Sequence, residues 1–501
     1  MFPSRPVTPK HPDYTPGEVR VLGRALLPGI AAALGFGVAC GYLLFPGVWA
    51  VLAAGGTLAL GASLRSTVAL WAAAFALGLA LPQKVPLPDH LAFQLPALEE
   101  VTGRVLDLPD PRAKTDALTL DPVTLPVRLL AYVPKGLELF PGDLVRLRGE
   151  FGVPSPPAWR SHLERRGVYG LFFAREVEVL HRGSRGLLGW AGRVRARLLS
   201  VVSSSVPEPG GSVLAALLLG ARGSLPEQDD QAFRAAGVAH VLALSGLHVG
   251  LLAAGGWWLL GLVRLPGTWR YLLLVPAVGL YVLLGGARVS LVRAGIMFAV
   301  LGVFWVLWAQ GWVLRRWLDP VQGLALAAVA VILVWPHATL EAGFQLSFAA
   351  TGAILLLLPH WTASPLRKRL PKGLRWPVDL LAVTACAQVG ALPFLGASFG
   401  YVTPYGLVAN LVLVPWTAAL LWGGVVILAL TWTPVAEPLG AILDRALVRP
   451  YLAAVRGAAS LPGATLPVGP YFGLWCLFLA LAVLILVAYI ENERGDLVRS
   501  R

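Results

Sequence analysis

The stretch "AGVAHVLALSGLHVG", residues 236–250, lies within an apolar run that extends from about residue 234 to 263. A run of this length is long enough to cross about 30 Å of hydrocarbon as a helix. It nevertheless contains His240, Ser245 and His248, whose side chains need hydrogen-bonding partners or water inside a bilayer. The two histidines share a face if the helix is unbroken, although the glycines of "SGLHVG" permit local unwinding. The stretch therefore predicts a membrane helix that carries a polar site.

Similar apolar runs recur through the chain of 501 residues, which is 56% hydrophobic and 14% charged, with a mean hydropathy of +0.69. This composition excludes an ordinary soluble protein. The run "SVLAALLLGA" is too short to cross, so it is either re-entrant or packed inside the bundle. The longer runs predict about 11 spans. They lie near residues 25–45, 47–62, 66–82, 234–263, 271–287, 292–312, 320–335, 343–361, 378–400, 406–432 and 471–490.

Residues 83–186 interrupt the apolar pattern because they are polar, charged and rich in proline. Segments such as "VTGRVLDL", "PVRLLAY" and "DLVRLRG" alternate as strands do, and "AWRSHLERRG" is typical of a helix. About five short strands with one helix near the end favour a small β-barrel of the OB type, a fold that often binds oligonucleotides. A plain β-sandwich gives a similar pattern. The predicted fold class is a polytopic α-helical membrane protein with an inserted all-β, OB-like extracytoplasmic domain.

The net charge of +14 resides mainly in the loops between spans. The insert is nearly neutral, with 13 Lys and Arg against 12 Asp and Glu between Leu98 and Gly186. Basic loops face the cytoplasm, so the bulk charge alone is weak evidence for a nucleic-acid partner. A basic N-terminus in the cytoplasm followed by three retained spans places the insert outside the cytoplasmic membrane. The same count places the cluster "RKRLPKGLR", residues 367–375, inside and the C-terminus outside.

The helix predicted after the insert is amphipathic. "LLGWAGRVRARLLSVV" has Leu187, Trp190 and Val194 on one face and Arg193 and Arg197 on another, which favours a helix in the membrane interface. An ordinary surface helix packed on the barrel is the alternative. The predicted parts are 1–82 (tail and three transmembrane helices), 83–186 (β-domain), 187–205 (interfacial helix), 206–490 (main transmembrane domain) and 491–501 (polar tail).

Further polar side chains lie in or beside the predicted spans, where they are costly unless paired or hydrated. Some lie near helix breakers, as Gln388 precedes Pro393 and Asn410 precedes Pro415, and broken helices are typical of cavities within a bundle. Two simpler interpretations remain: Arg293 pairs with Asp319, or the polar groups only join neighbouring helices. The candidates for a polar path are His240, Ser245, Gly246, His248, Arg288, Arg293, Asp319, Gln345, Gln388 and Asn410.

Motifs for metal binding or nucleotide hydrolysis are missing from the sequence. The eight histidines form no H-E-x-x-H pattern, no Cys-x-x-Cys pair occurs, and no G-x-x-x-x-G-K-S/T loop is found. We therefore expect no metal, no cofactor and no enzymatic activity. Ser245 and His248 could form a hydrolase dyad only with a third partner.

An ordered set of motifs resembles the competence domain of the ComEC family of DNA-uptake channels. They are "FRAAGVAHVLALSGLHVGLLA" (233–253), "RAGIM" (293–297), "DPVQGLALAA" (319–328), "GFQLSFAATG" (343–352), and "AQVGALPFLGASFG" through "ANLVLVP" (387–415). "GDLVRLRG" and "HLERRGVYG" are similar to that family's exported OB-like domain. The resemblance covers nearly the whole chain.

The resemblance implies a channel that passes single-stranded DNA across the cytoplasmic membrane during natural transformation. It further implies a DNA-receptor competence protein outside, a helicase and single-strand-binding proteins inside, and membrane lipid around the channel. In the β-domain, Tyr132, Arg146, Arg148 and Tyr169 are candidates for DNA contact, although core packing is an alternative for the aromatic residues. A polytopic transporter of a small solute or lipid is the alternative function.

Two departures from the family pattern matter. Many relatives read "LLLGDR" where this chain reads "LLLGAR", so an acidic group at Ala221 is not essential here. Many also continue into a metallo-β-lactamase-like domain, whereas this chain stops at "ENERGDLVRSR". We therefore expect a separate nuclease.

Overall fold

The computed structural model describes residues 29–35, 38, 99–112, 114–183, 186–312, 319–469, 471–473 and 475–476. The chain forms two units, of which the first combines Met1–Gln83 with Asp319–Thr339 and the second combines Lys84–Leu318 with Leu340–Arg501. The predicted spans at 47–62 and 66–82, and most of those at 25–45 and 471–490, lie outside the described residues, as does the predicted tail at 491–501.

The second unit begins with a small closed β-barrel. Its strands are β1 (Glu100–Val105), β2 (Asp110–Pro111), β3 (Thr115–Pro122), β4 (Arg128–Pro134), β5 (Leu144–Gly152) and β6 (Val168–His181), with α1 (Pro157–Arg165) between β5 and β6. The strand order is β1-β5-β6-β4-β3, and β1 also pairs with β3, which closes the sheet. The pairing of β4 with β6 is parallel.

Alternation of apolar residues builds the barrel core, as the period of a strand requires. Along β4, for example, Leu129, Ala131 and Val133 are buried and their neighbours are not. Gly149 lies where β5 and β6 change register, and a Cβ there would overlap the carbonyl oxygen of Phe173. The five strand segments and the helix predicted from the sequence are present.

Seven helices follow the barrel. They are α2 (Leu187–Ser205), α3 (Gly210–Leu219), α4 (Glu227–Ala235), α5 (Ala239–Leu242), α6 (Gly246–Leu262), α7 (Gly267–Leu284) and α8 (Val289–Ala309). The run predicted as a span near 234–263 is not one unbroken helix, and the local unwinding that its glycines permit is present. Gly237 has a φ of +76°, which ends α4, and the chain is extended again before α6 begins at Gly246. His240 and His248 therefore lie on different helices.

The amphipathic helix α2 packs on α3, α7, α13 and α14 (the last two are defined below), and its Gly192 lies against Leu108 and Phe140 of the barrel domain. Its large apolar residues Leu187 and Trp190 are exposed. The buried residues of α2 are Gly189, Ala191, Gly192, Arg195, Val202 and Ser205, and Leu198 also packs against the apolar core. The exposed apolar residues thus lie in the first turn of the helix.

In the first unit, residues 29–35 are helical and α9 (Pro320–Val334) forms a short apolar helix. Leu34 and Ile332 are buried, and a Cβ on Gly35 would lie 3.5 Å from Ile332 Cδ1. Gly35 therefore lies next to Ile332, and a side chain at this position would make an ordinary van der Waals contact with it.

The second unit resumes with a tightly packed helix pair. Its elements are α10 (Ala342–Ala363), α11 (Pro365–Arg369), α12 (Lys372–Phe399), β7 (Tyr401–Val402), α13 (Gly406–Leu430), α14 (Ala436–Leu443), a π-helical turn (Asp444–Val448), α15 (Arg449–Ala459) and β8 (Leu466–Pro467), which pairs with β7. A Cβ on Gly390 of α12 would overlap the carbonyl oxygen of Ala349 on α10. The glycine therefore permits the close approach of these two helices.

Five of the described helices, α7, α8, α10, α12 and α13, are long and apolar enough to cross a membrane. Together with the composition, they identify a helical membrane protein. Every residue of the shorter α3 is buried, against Leu420 of α13, Tyr451 of α15 and Val202 of α2 among others. The run "SVLAALLLGA" is thus packed inside the protein.

Candidate polar path in the helical unit

Ser245 begins α6 with a reciprocal cap. Its Oγ accepts a hydrogen bond from Leu247 N at 3.3 Å, and its own N–H donates to His248 Nδ1 at 3.3 Å. The Ser245 Oγ also lies 3.2 Å from His248 Nδ1. An Nδ1 atom that accepts this hydrogen bond carries no proton, which corresponds to the tautomer with its proton on Nε2. The polar residues of "LSGLHVG" thus stabilise a helix start at a position predicted to be inside a span.

Arg293 is a buried cation next to this helix start. Its side chain is on α8 and only 7% exposed, and a Cβ on Gly246 would lie 2.6 Å from its Nη2. Nε donates to Ser347 Oγ of α10 at 2.8 Å, Nη1 lies 3.5 Å from Met297 Sδ, and the guanidinium stands 5.9 Å from the Phe348 ring centroid. Within the described part of its unit, no carboxylate forms a salt bridge with it.

One further predicted residue, Gln388, lies where α12 and α13 approach the break in the 234–263 run. A Cβ on Gly406 would lie 3.4 Å both from Gln388 Nε2 and from the Cα of Gly237. His240 follows Gly237 by one turn and is exposed.

Several deeply buried polar atoms of this unit lack a hydrogen-bond partner among the described residues. They include His248 Nε2, Asn410 Oδ1 and the hydroxyl of Tyr281. His248 is fully buried and Asn410 nearly so. An unpaired buried polar group costs about 1–3 kcal/mol, so such groups normally bind water or a ligand. Tyr281 was not predicted, because one tyrosine in an apolar helix gives no signal in the sequence.

Three other predicted residues have different surroundings. Arg288 precedes α8, and its Nη2 donates to the carbonyl oxygen of Gly220 at 2.9 Å. Asp319 caps α9 in the other unit, where its Oδ1 accepts a hydrogen bond from Val321 N at 3.0 Å. Gln345 is half-buried in the first turn of α10. Arg288 and Asp319 therefore have clear structural roles at helix ends.

The barrel is joined to the helices by an arginine that the sequence did not reveal. Arg195 of α2 is buried and donates to Pro109 O of the barrel at 2.9 Å and to Leu219 O of α3 at 3.1 Å. Burial lowers the pKa of Arg195 to about 10. A second contact pairs Arg166, after α1, with Glu341 before α10, at 3.6 Å. The barrel thus contacts α2 and α3 through Arg195, and the start of α10, which carries Ser347, through Arg166.

On the barrel surface, the candidate DNA contacts fall into two groups. Tyr132 stacks on Phe173 with ring centroids 5.2 Å apart and planes 9° from parallel, and Phe173 is 46% exposed. Arg148 donates to Glu100 at 2.8 Å. This hydrogen bond lowers the pKa of the Glu100 carboxyl and raises that of Arg148.

The remaining two candidates are also engaged. Arg146 donates to Glu178 at 2.9 Å, so the face that carries both arginines has mixed charge. Tyr169 packs against the barrel core and burial raises its pKa. The stacked pair of Tyr132 and Phe173 is therefore the most accessible aromatic surface among the four candidates and their neighbours.

The arrangement offers a cation together with hydrogen-bond donors and acceptors, which can bind a polar or anionic ligand. Ser245 and His248 are close enough for a dyad, but His248 Nε2 has no carboxylate partner among the described residues to orient it. Within the same residues, no group of three or more His, Cys, Asp or Glu side chains could hold a metal ion.

Comparison with protein-family models matches residues 217–494 to the family described as Competence protein. The matched region is more than half of the chain. It contains Ser245, His248 and Arg293 as well as the contact between Gln388 and Gly406.

Curated proteins with detectable similarity include two competence proteins. The chain is 31% identical over 245 residues to ComE operon protein 3 of Bacillus subtilis (strain 168), which is 48% of this chain and 29% of that protein. It is 30% identical over 247 residues to Competence protein ComA of Neisseria gonorrhoeae, 48% of this chain and 33% of that protein.

A third relative is Uncharacterized protein YcaI of Escherichia coli (strain K12), with 26% identity over 305 residues, 56% of this chain and 39% of that protein. The matched regions thus span about a third of the length of these relatives. No solved structure matches the chain significantly.

Proposed function

This chain belongs to the Competence protein family, the ComEC family of membrane proteins, and on that premise we propose that it conducts single-stranded DNA across the cytoplasmic membrane during DNA uptake. The names of two relatives support a role in competence. The polar groups buried in the helical unit support a conducting path.

The observation that carries the proposal is the surroundings of Arg293. A buried guanidinium without a carboxylate partner is expensive, since the desolvation cost of several kcal/mol is not offset by an ion pair. A protein retains such a group where it meets an anion during function. The phosphodiester backbone supplies that anion repeatedly as the strand moves. A single cation, with Ser347 and the start of α6 beside it, attracts phosphate without holding it permanently.

The rest of the path is polar but sparsely charged. His240, Gln388, Asn410 and Tyr281 offer hydrogen bonds that bind water in the resting protein and bases or sugars in transit. The helix breaks at Gly237 and Ser245 support this proposal, because broken helices are typical of transporters. Ser245, Gly246 and His248 form the start of α6, which lies at the centre of the proposed path. Arg288, Asp319 and Gln345 support the helix ends around it.

The barrel serves, in this proposal, as the extracytoplasmic receptor domain. Its closed order β1-β3-β4-β6-β5 supports an OB-like fold, although its helix lies between the last two strands of the barrel. The stacked Tyr132 and Phe173 rings offer a platform for bases. When a DNA strand binds, Arg146 and Arg148 leave their carboxylate partners and pair with phosphates of the strand.

The proposed topology follows the sequence expectations. The N-terminus lies in the cytoplasm, residues 83–186 lie outside, 187–205 form an interfacial helix and 206–490 form the conducting domain. A receptor protein delivers DNA outside, a nuclease removes one strand, and a cytoplasmic helicase with single-strand-binding proteins receives the other.

The test is uptake of a fluorescent single-stranded oligonucleotide into proteoliposomes that contain the full chain. We expect Arg293→Gln to abolish uptake and Arg293→Lys to retain part of it. Arg197→Gln, at an exposed arginine of α2, is the matched control. Transport of a small anion or lipid by the wild-type chain without oligonucleotide uptake would favour a small-solute or lipid transporter instead.

A further inference from the structure

The connection between the spans α10 and α12 is a short, strongly basic turn. Residues 364–376, "SPLRKRLPKGLRW", contain five arginines and lysines and no acidic residue. Because both flanking helices are long enough to span a membrane, their connection lies at a membrane surface. By the count of spans in the sequence this surface is the cytoplasmic one.

The turn is held in one geometry by Asp379 in the first turns of α12. Arg367 donates to both oxygens of Asp379, from Nε to Oδ1 at 2.7 Å and from Nη2 to Oδ2 at 2.8 Å. Trp361, near the end of α10, donates its Nε1 proton to Asp379 Oδ1 at 2.9 Å. One carboxylate therefore links both spans to the turn.

Backbone contacts fix the remainder of the turn. Arg375 donates from Nε to the carbonyl oxygen of Leu370 and from Nη2 to that of Lys368, both at 3.1 Å. Ser364 Oγ caps α11 by accepting a hydrogen bond from Leu366 N at 3.2 Å. Two of the five cations, Arg367 and Arg375, are thus used to build the turn.

The other three cations point away from the protein. Lys368, Arg369 and Lys372 are exposed, and none of them forms a salt bridge with a described carboxylate. Large apolar side chains are exposed between and beside them, with Leu366 at 60%, Leu374 at 53% and Trp376 at 64%. Cations interleaved with leucine and tryptophan at a membrane surface are typical of side chains that enter the headgroup region.

We propose that this turn is a binding site for anionic phospholipid headgroups. Lys368, Arg369 and Lys372 contact the headgroup phosphates, while Leu366, Leu374 and Trp376 enter the acyl boundary. Asp379 is a positioning residue, since it holds the turn and touches no lipid. A lipid is favoured over a nucleic acid because the exposed apolar side chains lie at the depth of the bilayer, where a DNA strand would leave them in water.

The experiment measures binding of phosphatidylglycerol and phosphatidylcholine to the full chain in neutral detergent by native mass spectrometry. Each basic residue near an anionic surface contributes roughly fivefold in affinity. We therefore expect the triple variant Lys368→Gln, Arg369→Gln, Lys372→Gln to lose on the order of 100-fold in phosphatidylglycerol affinity. Phosphatidylcholine binding should not change.

The matched control removes three exposed cations of the barrel, through Arg104→Gln, Arg128→Gln and Lys135→Gln, and should retain phosphatidylglycerol binding. Asp379→Asn distinguishes a binding site of fixed geometry from a surface that attracts lipid only through its total positive charge. Because it removes a negative charge, a diffuse surface would bind phosphatidylglycerol more tightly, whereas loss of the fixed turn weakens binding.

Three outcomes would overturn the proposal: equal loss in both triple variants, tighter binding by Asp379→Asn, or a triple variant that loses oligonucleotide affinity but keeps phosphatidylglycerol affinity. The lipid measurement involves no transport. Its failure therefore leaves the proposed DNA-conducting function standing, and a failure of DNA uptake leaves the lipid site standing.

Discussion

Replacing Arg293 by methionine should stabilise the protein while it abolishes DNA uptake. The guanidinium is 7% exposed and has no salt bridge within the described part of its unit, so its burial costs several kcal/mol. Its hydrogen bond to Ser347 Oγ at 2.8 Å recovers about 1.5–3 kcal/mol, and the Phe348 ring about 0.5–2 kcal/mol. These contacts offset only part of the cost, so an unbranched apolar side chain of similar length should be more stable at this position.

Thermal unfolding in detergent, followed by tryptophan fluorescence, measures the stability change, and transformation frequency measures function. Arg293→Met should raise the midpoint by a few degrees. Ser347→Ala should lower it, because Nε then loses its partner at a cost of about 1–3 kcal/mol. In the double variant Arg293→Met, Ser347→Ala, the decrease of the midpoint caused by Ser347→Ala should vanish. The reasoning is refuted if Arg293→Met lowers the stability by about 2 kcal/mol or more, since the arginine would then be a structural residue.

Three further variants test other parts of the account. Gly390→Val should destabilise the α10–α12 pair by about 1–3 kcal/mol, because its Cβ would overlap Ala349 O, and an unchanged thermal midpoint would contradict that packing. Burial lowers the pKa of His162 and the charge of Glu341 raises it, so Glu341→Gln should lower this pKa further. A histidine NMR titration in nanodiscs should show the shift. An identical pKa in the variant would contradict the interaction between the two groups. Phe173→Ala should weaken oligonucleotide binding by about 1–3 kcal/mol in fluorescence anisotropy, whereas Val123→Ala, also exposed on the barrel, should not.

Local patterns predicted most of the secondary structure. The alternation in "PVRLLAY" predicted β4, because burial of one face imposes a fixed period on a strand. The long apolar runs predicted α7, α8, α10, α12 and α13, because a membrane imposes a minimum length on a helix. The strand order could not be derived in the same way, since pairing joins residues far apart in sequence.

The break between α4 and α6 shows why the polar site was only partly predictable. Apolar composition favoured one helix over 234–263, but Gly237 adopts a left-handed conformation and Ser245 forms a cap with His248. These local hydrogen bonds outweigh helical propensity at both ends.

Contacts between residues that lie far apart in the sequence could not be predicted either. Arg293 was identified by its polarity in an apolar run, yet its contact with Ser347 depends on how α8 and α10 cross. Arg195 was missed because a charged residue on an amphipathic helix is usually exposed. It is buried here because the carbonyl oxygens of Pro109 and Leu219 accept hydrogen bonds from its guanidinium group.

The most direct measurement is the accessibility of single cysteines, introduced after Cys40, Cys386 and Cys476 are replaced by alanine. If the buried polar groups line a hydrated conduit, Ser347→Cys and Asn410→Cys will react with a charged, membrane-impermeant thiol reagent, and single-stranded DNA will protect them. Leu356→Cys, on an exposed part of α10, should react only with a lipophilic reagent. If Ser347→Cys and Asn410→Cys stay unreactive toward the charged reagent while Leu356→Cys is labelled by the lipophilic one, the conduit does not exist.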